Sequence, residues 1–166
     1  MPKEPQLERP APENARSPQN TWRILFLDKP ENVELLKAVC KEVGYVVVGA
    51  ITIEEAWAFL EGKDHADVIV CAAHLEEESV FEFLRRVRDS EVHRNASFLI
   101  LSLEPGAAGA RLDRSAASAG MLLGADSYAV MPVFDPGELI AHIKKLQPRV
   151  PMLQQSATAE EKRRAE

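Results

Sequence analysis

The sequence predicts an α/β domain built as a doubly wound parallel sheet, and three observations carry that expectation. Short apolar or β-branched runs recur at Ile24–Leu27, Tyr45–Val48, Val68–Cys71, Ser97–Leu101 and Ser127–Val130. Between them, apolar residues recur three and four apart, which is the spacing of a helix with one buried face. Capping residues stand at the junctions. Strands that read as unbroken apolar runs are buried on both faces, as in a parallel sheet with helical crossovers.

Each element can be justified in turn. Arg23-Ile24-Leu25-Phe26-Leu27 is the first strand. Val33, Leu36, Val39, Cys40 and Val43 form the inner stripe of the first helix, and Gly44 stands where a C-terminal cap belongs. Tyr45 to Val48 is the second strand. Thr52 with Glu55 has capping-box spacing and opens a helix containing Ala56, Trp57, Phe59 and Leu60, which ends at Gly62. Val68 to Cys71 is the third strand, and Val80, Phe81, Leu84 and Val87 mark the third helix. Ser97 to Leu101 is the fourth strand. Gly106 to Ala110 reads as a small-residue connector before an Ala-rich fourth helix from Leu112 to Leu123. Ser127 to Val130 is the fifth strand. Asp135, Pro136 and Glu138 start the last helix, whose inner stripe is Leu139, Ile143 and Leu146. Five consecutive strand–helix units give a flavodoxin-like (βα)5 sheet in the order 2-1-3-4-5, with its ligand site at the carboxyl ends of the first and third strands.

The domain is expected over 21–147. Residues 1–20 hold five of the 11 prolines and few apolar residues, so they read as a disordered leader. Residues 148–166 read as a polar tail or frayed helix. Over all 166 residues, 20 Lys and Arg stand against 26 Asp and Glu, a net charge of -6. An acidic chain is a poor default for nucleic acid, whose phosphates need clustered Lys and Arg. No stretch approaches the ~20 apolar residues of a membrane helix, and no apolar leader marks export. A cytoplasmic location follows as an expectation. Cys40 and Cys71 are then reduced thiols packed as small hydrophobes.

Four segments carry a resemblance. Ile24 to Asn32 (ILFLDKPEN) resembles the opening of a response-regulator receiver domain of the CheY-like family, where a strand runs into a pair of acids. Ala66 to Ala72 resembles the third strand running into the phosphoacceptor aspartate. Leu101-Ser102 fits the hydroxyl at the end of the fourth strand. Gly124 to Pro132 fits the stretch bearing the aromatic switch residue and a Lys-Pro pair, and the whole resemblance spans Trp22 to Gln147.

The departures from that pattern set the functional expectation. Ala72 stands at the phosphoacceptor position, and a methyl group cannot form an acyl phosphate. Lys29 stands where the second acid would hold Mg²⁺, and an ammonium repels a hard cation. Met131 replaces the lysine that would pair with phosphoryl oxygens. Asp28 remains, as an ion-pair partner for Lys29. Ser102 and Tyr128 are the switch pair that the resemblance implies, and Pro132 is expected to follow a cis bond if family geometry holds. Sliding the alignment would bring Asp67 or Glu76 to the key position, but the first opens its strand and the second lies past its end.

The resulting expectation is a degenerate pseudo-receiver: a phosphorylation-independent interaction module of bacterial-type signalling, with no catalytic residue, metal or cofactor. Its partner would be a protein or a second copy. The docking face would be the fourth helix, fifth strand and fifth helix, with Asp126, Ser127, Tyr128, Lys144 and Lys145 on it. The alternative is a small-ligand sensor, because losing charge at Ala72 and Met131 makes the pocket more apolar. Glu76 to Glu78 read as favourable charge at the start of the third helix. His74 reads as an exposed loop residue, and His65, His93 and His142 as surface residues.

Overall fold

The computed structural model describes residues 22–62, 65–103 and 107–146, with backbone only over 107–113. The expectations for the leader, the tail and Gly106 lie outside the described residues. The elements are β1 (Arg23–Leu27), α1 (Pro30–Val43), β2 (Val46–Ala50), α2 (Ile53–Glu61), β3 (Val68–Ala72), α3 (Val80–Asp89), β4 (Ser97–Ser102), α4 (Ala107–Leu123), β5 (Ser127–Val130) and α5 (Pro136–Leu146). All strand pairs are parallel, in the order β2-β1-β3-β4-β5. The expected sheet is therefore the observed one.

Alternation along each strand divides the core into two layers. Leu25, Leu27, Ile69, Cys71, Phe98 and Ile100 face α2, α3 and α4. Ile24, Phe26, Val68, Val70, Leu99 and Leu101 face α1 and α5. The strands are thus apolar on both sides, which is why they read as runs rather than as alternating patterns.

The local signals form as their chemistry requires. The Thr52 hydroxyl accepts the Glu55 N–H at 3.0 Å, and the Glu55 carboxylate accepts the Ile51 N–H at 2.8 Å. The Asp135 carboxylate accepts the Glu138 N–H at 3.2 Å. Gly44 closes α1 with φ 104°, and its N–H caps the helix end.

Four expectations are corrected. The connector expected up to Ala110 is helical from Ala107; alanine's helix propensity outweighs the ~1 kcal/mol cost of Gly109. In α3 the fully buried ring is Phe83, while Phe81 is half-buried, because the buried stripe runs Val80, Phe83, Leu84, Val87. The Met131–Pro132 bond is trans, as are all described peptide bonds. His93 is buried, at 5% exposure, rather than on the surface.

Candidate functional site

The carboxyl ends of β1, β3 and β4 open onto a cleft of about 990 Å³. This is where a doubly wound sheet places its ligand crevice, beside the point at which strand order reverses. Asp28 follows β1 and lines the cleft while only 6% exposed. Its carboxylate accepts the Lys29 backbone N–H at 2.7 Å and the Asn32 amide at 3.1 Å. Lys29 itself is exposed at the mouth.

Ala72 ends β3 and is 6% exposed, so a methyl group forms part of the cleft floor. The ladder places it opposite Leu101 of β4, and the next N–H, of Ala73, bonds to the Leu101 carbonyl at 2.9 Å. Ser102 is buried beside it. One residue earlier, the Cys71 thiol points into the α2–α3 layer and donates to the Ala72 carbonyl at 3.6 Å. Burial pushes that thiol well above its ordinary range, and the charges of Asp28 and Glu78 push it the same way. It is held as a neutral thiol and is no nucleophile.

The rim is acidic. Glu31, Glu76, Glu77 and Glu78 line the cleft with Asp28, against one ammonium from Lys29. Glu78 also reaches across to α2, where its carboxylate accepts the N–H of Ile53 at 3.0 Å. It thereby satisfies one of the unpaired donors of that helix start. The acidic run is expected to favour the start of the third helix; the contact seen is instead that of Glu78 with α2, the neighbouring helix, across a sequence separation that no local pattern reveals. Among the described residues, no group of three or more His, Cys, Asp or Glu comes together to hold a metal ion.

The structure brings Asp28, Lys29, Ala72 and Ser102 together, and leaves Met131 and Pro132 out. Met131 is 1% exposed and packs with Leu101, Ala129, Leu139 and Ile143 in the α1–α5 layer. Its N–H extends the ladder to the Ser102 carbonyl at 2.8 Å, but its side chain does not line the cleft. Pro132 is exposed. The expectation that Met131 makes the pocket apolar is therefore corrected: the cleft is mixed in character, and its apolar part comes from residues such as Ala72, Leu75, Leu101 and Leu103 rather than from Met131.

The residues expected on a docking face fall at several separate places. Tyr128 is half-buried against the α2–α4 layer, opposite Ile100. Ser127 is half-buried at the start of β5. Lys144 and Lys145 are exposed in the last turn of α5. That turn lies at the end of the sheet away from the cleft, where the Ser97 hydroxyl at the start of β4 donates to the Leu146 carbonyl.

Asp126 has an internal task. Its carboxylate accepts the Phe98 N–H at 2.8 Å and the Arg88 guanidinium at 3.0 Å. Asp67 does the same before β3, accepting the Arg23 N–H at 2.9 Å. Asp67 thus stands at the far end of the sheet from Ala72. The sequence missed Arg88, whose fork also donates to the carbonyls of Gly124, Arg94 and Ala96 at 2.8, 2.8 and 2.6 Å. Its only local signal is a cation in the last turn of a helix.

A doubly wound sheet with a crevice rimmed by carboxylates defines the broad class, and comparison with solved structures narrows it. No family model matches the sequence, and no curated protein does. The structure is similar to that of a protein from Chloroflexus aurantiacus described as a response regulator, at 27% identity and TM-score 0.65, covering 76% of this chain and 98% of that one. It is similar to the chemotaxis response regulator CheY4 of Vibrio cholerae at 21% identity and TM-score 0.63, covering 76% and 99%. It is also similar to the signal receiver domain of a histidine kinase from Syntrophus aciditrophicus at 24% identity and TM-score 0.61, covering 76% and 89%. The fold is that of CheY-type receivers, and the structural neighbours are receiver domains of two-component signalling.

Proposed function

We propose that this chain is a receiver-like interaction module whose cleft is not phosphorylated. The observation that carries the reading is Ala72, a methyl group at the cleft floor where β3 ends, where the resemblance expects an acyl-phosphate-forming carboxylate. Lys29 at the mouth and the buried Met131 support it, since neither supplies what a Mg²⁺-assisted phosphoryl site needs. In this reading the chain has no enzymatic activity. Its output is contact with a protein partner through α4, β5 and α5. That face carries exposed Met121, Leu122, Val130 and Val133, with Lys144 and Lys145 at one end as a polar margin. A ligand that makes no differential contact with two conformations cannot shift their balance. Ser102 and Tyr128 therefore have no phosphoryl group to respond to.

The test is titration with Mg²⁺ and beryllofluoride while recording amide spectra. The expected result is no saturable change at Ala72, Ser102 or Tyr128. Saturable shifts there would overturn the reading. The small-ligand reading keeps one supporting observation, the volume of the cleft, which is of a size that small molecules occupy. A thermal-shift screen separates the two, because a specific ligand raises the midpoint by mass action.

A further inference from the structure

His93 is a buried titratable group with no part in the cleft. It sits in the turn between α3 and β4, 5% exposed. Its Nδ1 is the one buried side-chain nitrogen or oxygen without a hydrogen-bond partner among the described residues. The Leu60 backbone at the end of α2 lies close enough to the ring to favour its protonated form. The ring meets the Trp57 indole edge-on, with centroids 6.1 Å apart. The neutral ring tolerates this place because Nδ1 then carries a lone pair only. Protonation would put an N–H donor and a charge on a buried nitrogen for which no described residue supplies an acceptor.

The turn is wired to a second place. His93 donates its backbone N–H to the Ser90 hydroxyl and accepts the Ala96 N–H. The carbonyls of Arg94 and Ala96 both accept from Arg88. The same guanidinium holds the Gly124 carbonyl and the Asp126 carboxylate ahead of β5. One side chain thus ties the His93 turn to the base of the α4–β5–α5 face.

We infer that His93 is an acid-sensitive latch: protonation of its imidazole releases the 90–96 turn and, through Arg88, loosens the 124–126 segment. This goes beyond the proposed function, and its test does not depend on the cleft. Burial holds the ring below its ordinary value of 6.5, and His65 acts in the same direction, while the Leu60 carbonyl and Glu61 oppose. Among the described residues, Arg86 stacks on the neighbouring Trp57, Arg88 donates to the Arg94 and Ala96 carbonyls beyond it, and Glu91 and Arg94 share its turn. The sign is fixed by the folded value lying below the unfolded one. No bias exists above pH 6.5. Between 6.5 and the folded value the released form gains up to tenfold per pH unit.

The experiment uses the full chain with Trp22→Phe, so that Trp57 alone reports. Amide exchange, corrected for its intrinsic pH dependence, is followed from pH 8 to 5 together with Trp57 emission. The expected result is faster exchange at both 90–96 and 124–126 as pH falls below 6.5, with a matching change in emission. His93→Phe, which fills the site and cannot titrate, is expected to flatten all three profiles. An identical acid response in His93→Phe would overturn the latch, as would loosening of 90–96 with 124–126 unchanged. Should His93→Phe fail to fold, the parent chain decides: amide exchange at both 90–96 and 124–126 that rises with the midpoint of the His93 ring resonances supports the latch, and exchange that does not follow that titration overturns it.

Discussion

Arg88→Ala is the substitution whose cost can be worked out most fully from the structure. The side chain is 20% exposed and makes four hydrogen bonds, three to backbone carbonyls and one to Asp126. Bonds from a charged donor contribute ~1.5–3 kcal/mol each, but carbonyls freed near the surface recover part of that from water. The Asp126 carboxylate is 45% exposed, so its share as an ion pair is small. Asp126 also keeps its bond from Phe98 N–H after truncation. The loss should therefore come to about 2–4 kcal/mol, the range of a broken partly buried network. Urea unfolding monitored by circular dichroism measures it, with a fall in melting temperature of roughly 10 °C alongside. Arg88→Lys should recover less than half, because one ammonium cannot span acceptors that a planar fork reaches together. A loss below ~0.5 kcal/mol for Arg88→Ala, or full recovery with lysine, would refute the reasoning.

Two further outcomes follow from the same geometry. Gly124→Ala should cost about 1–2 kcal/mol in urea unfolding, because φ is 111° there and a Cβ would come within 3.2 Å of the Arg88 side chain. Ala72→Asp should destabilise the chain at pH 7 by about 1–3 kcal/mol, since it adds a carboxylate at a 6% exposed position on a cleft that already holds Asp28. Its folded-state pKa is raised, so the stability lost at neutral pH returns as the pH falls through that value, and unfolding midpoints at pH 7 and pH 5 check the sign.

The sheet was legible because each strand is apolar on both faces and each helix start has its own local chemistry. Thr52, Gly44 and Asp135 act within four residues of themselves, so spacing alone exposes them. The cleft was half legible: Asp28, Ala72 and Ser102 each follow directly from a strand end, and strand ends are placed by topology. Met131 misled because the residue after a strand can point to either layer, and the alternation set by Ala129 sends it into the core. Glu78, Arg88 and Asp126 were invisible as partners for a different reason. Each acts at long range on backbone atoms that carry no residue identity, across 25, 36 and 28 residues respectively. His93 was misread because a histidine's burial depends on what packs over it. Here Trp57, with the Arg86 guanidinium stacked on its ring at 4.4 Å, provides a lid that no periodicity reveals.

The two ends of the sheet are built on different principles, and this bears on how the chain could signal. At the amino ends, Asp67, Asp126 and Arg88 join each loop to a neighbouring strand by charge-assisted bonds to backbone atoms. Such bonds fix register and leave few alternatives. At the carboxyl ends the cleft is open, rimmed by carboxylates, with Glu78 clasping α2. In a phosphorylated receiver the chemical input would enter at that open end and bias a face further along β5. In the proposed reading, with a methyl group at Ala72, no such input is received there, and any bias would come from a partner's own preference or from the closed end. Shifting a two-state balance from 1:99 to 99:1 needs about 5.5 kcal/mol of differential affinity. A partner seated on α4–β5–α5 can supply that only by touching groups that differ between the states. The 124–126 segment, held by Arg88 at the margin of that face, is the part whose release would make them differ.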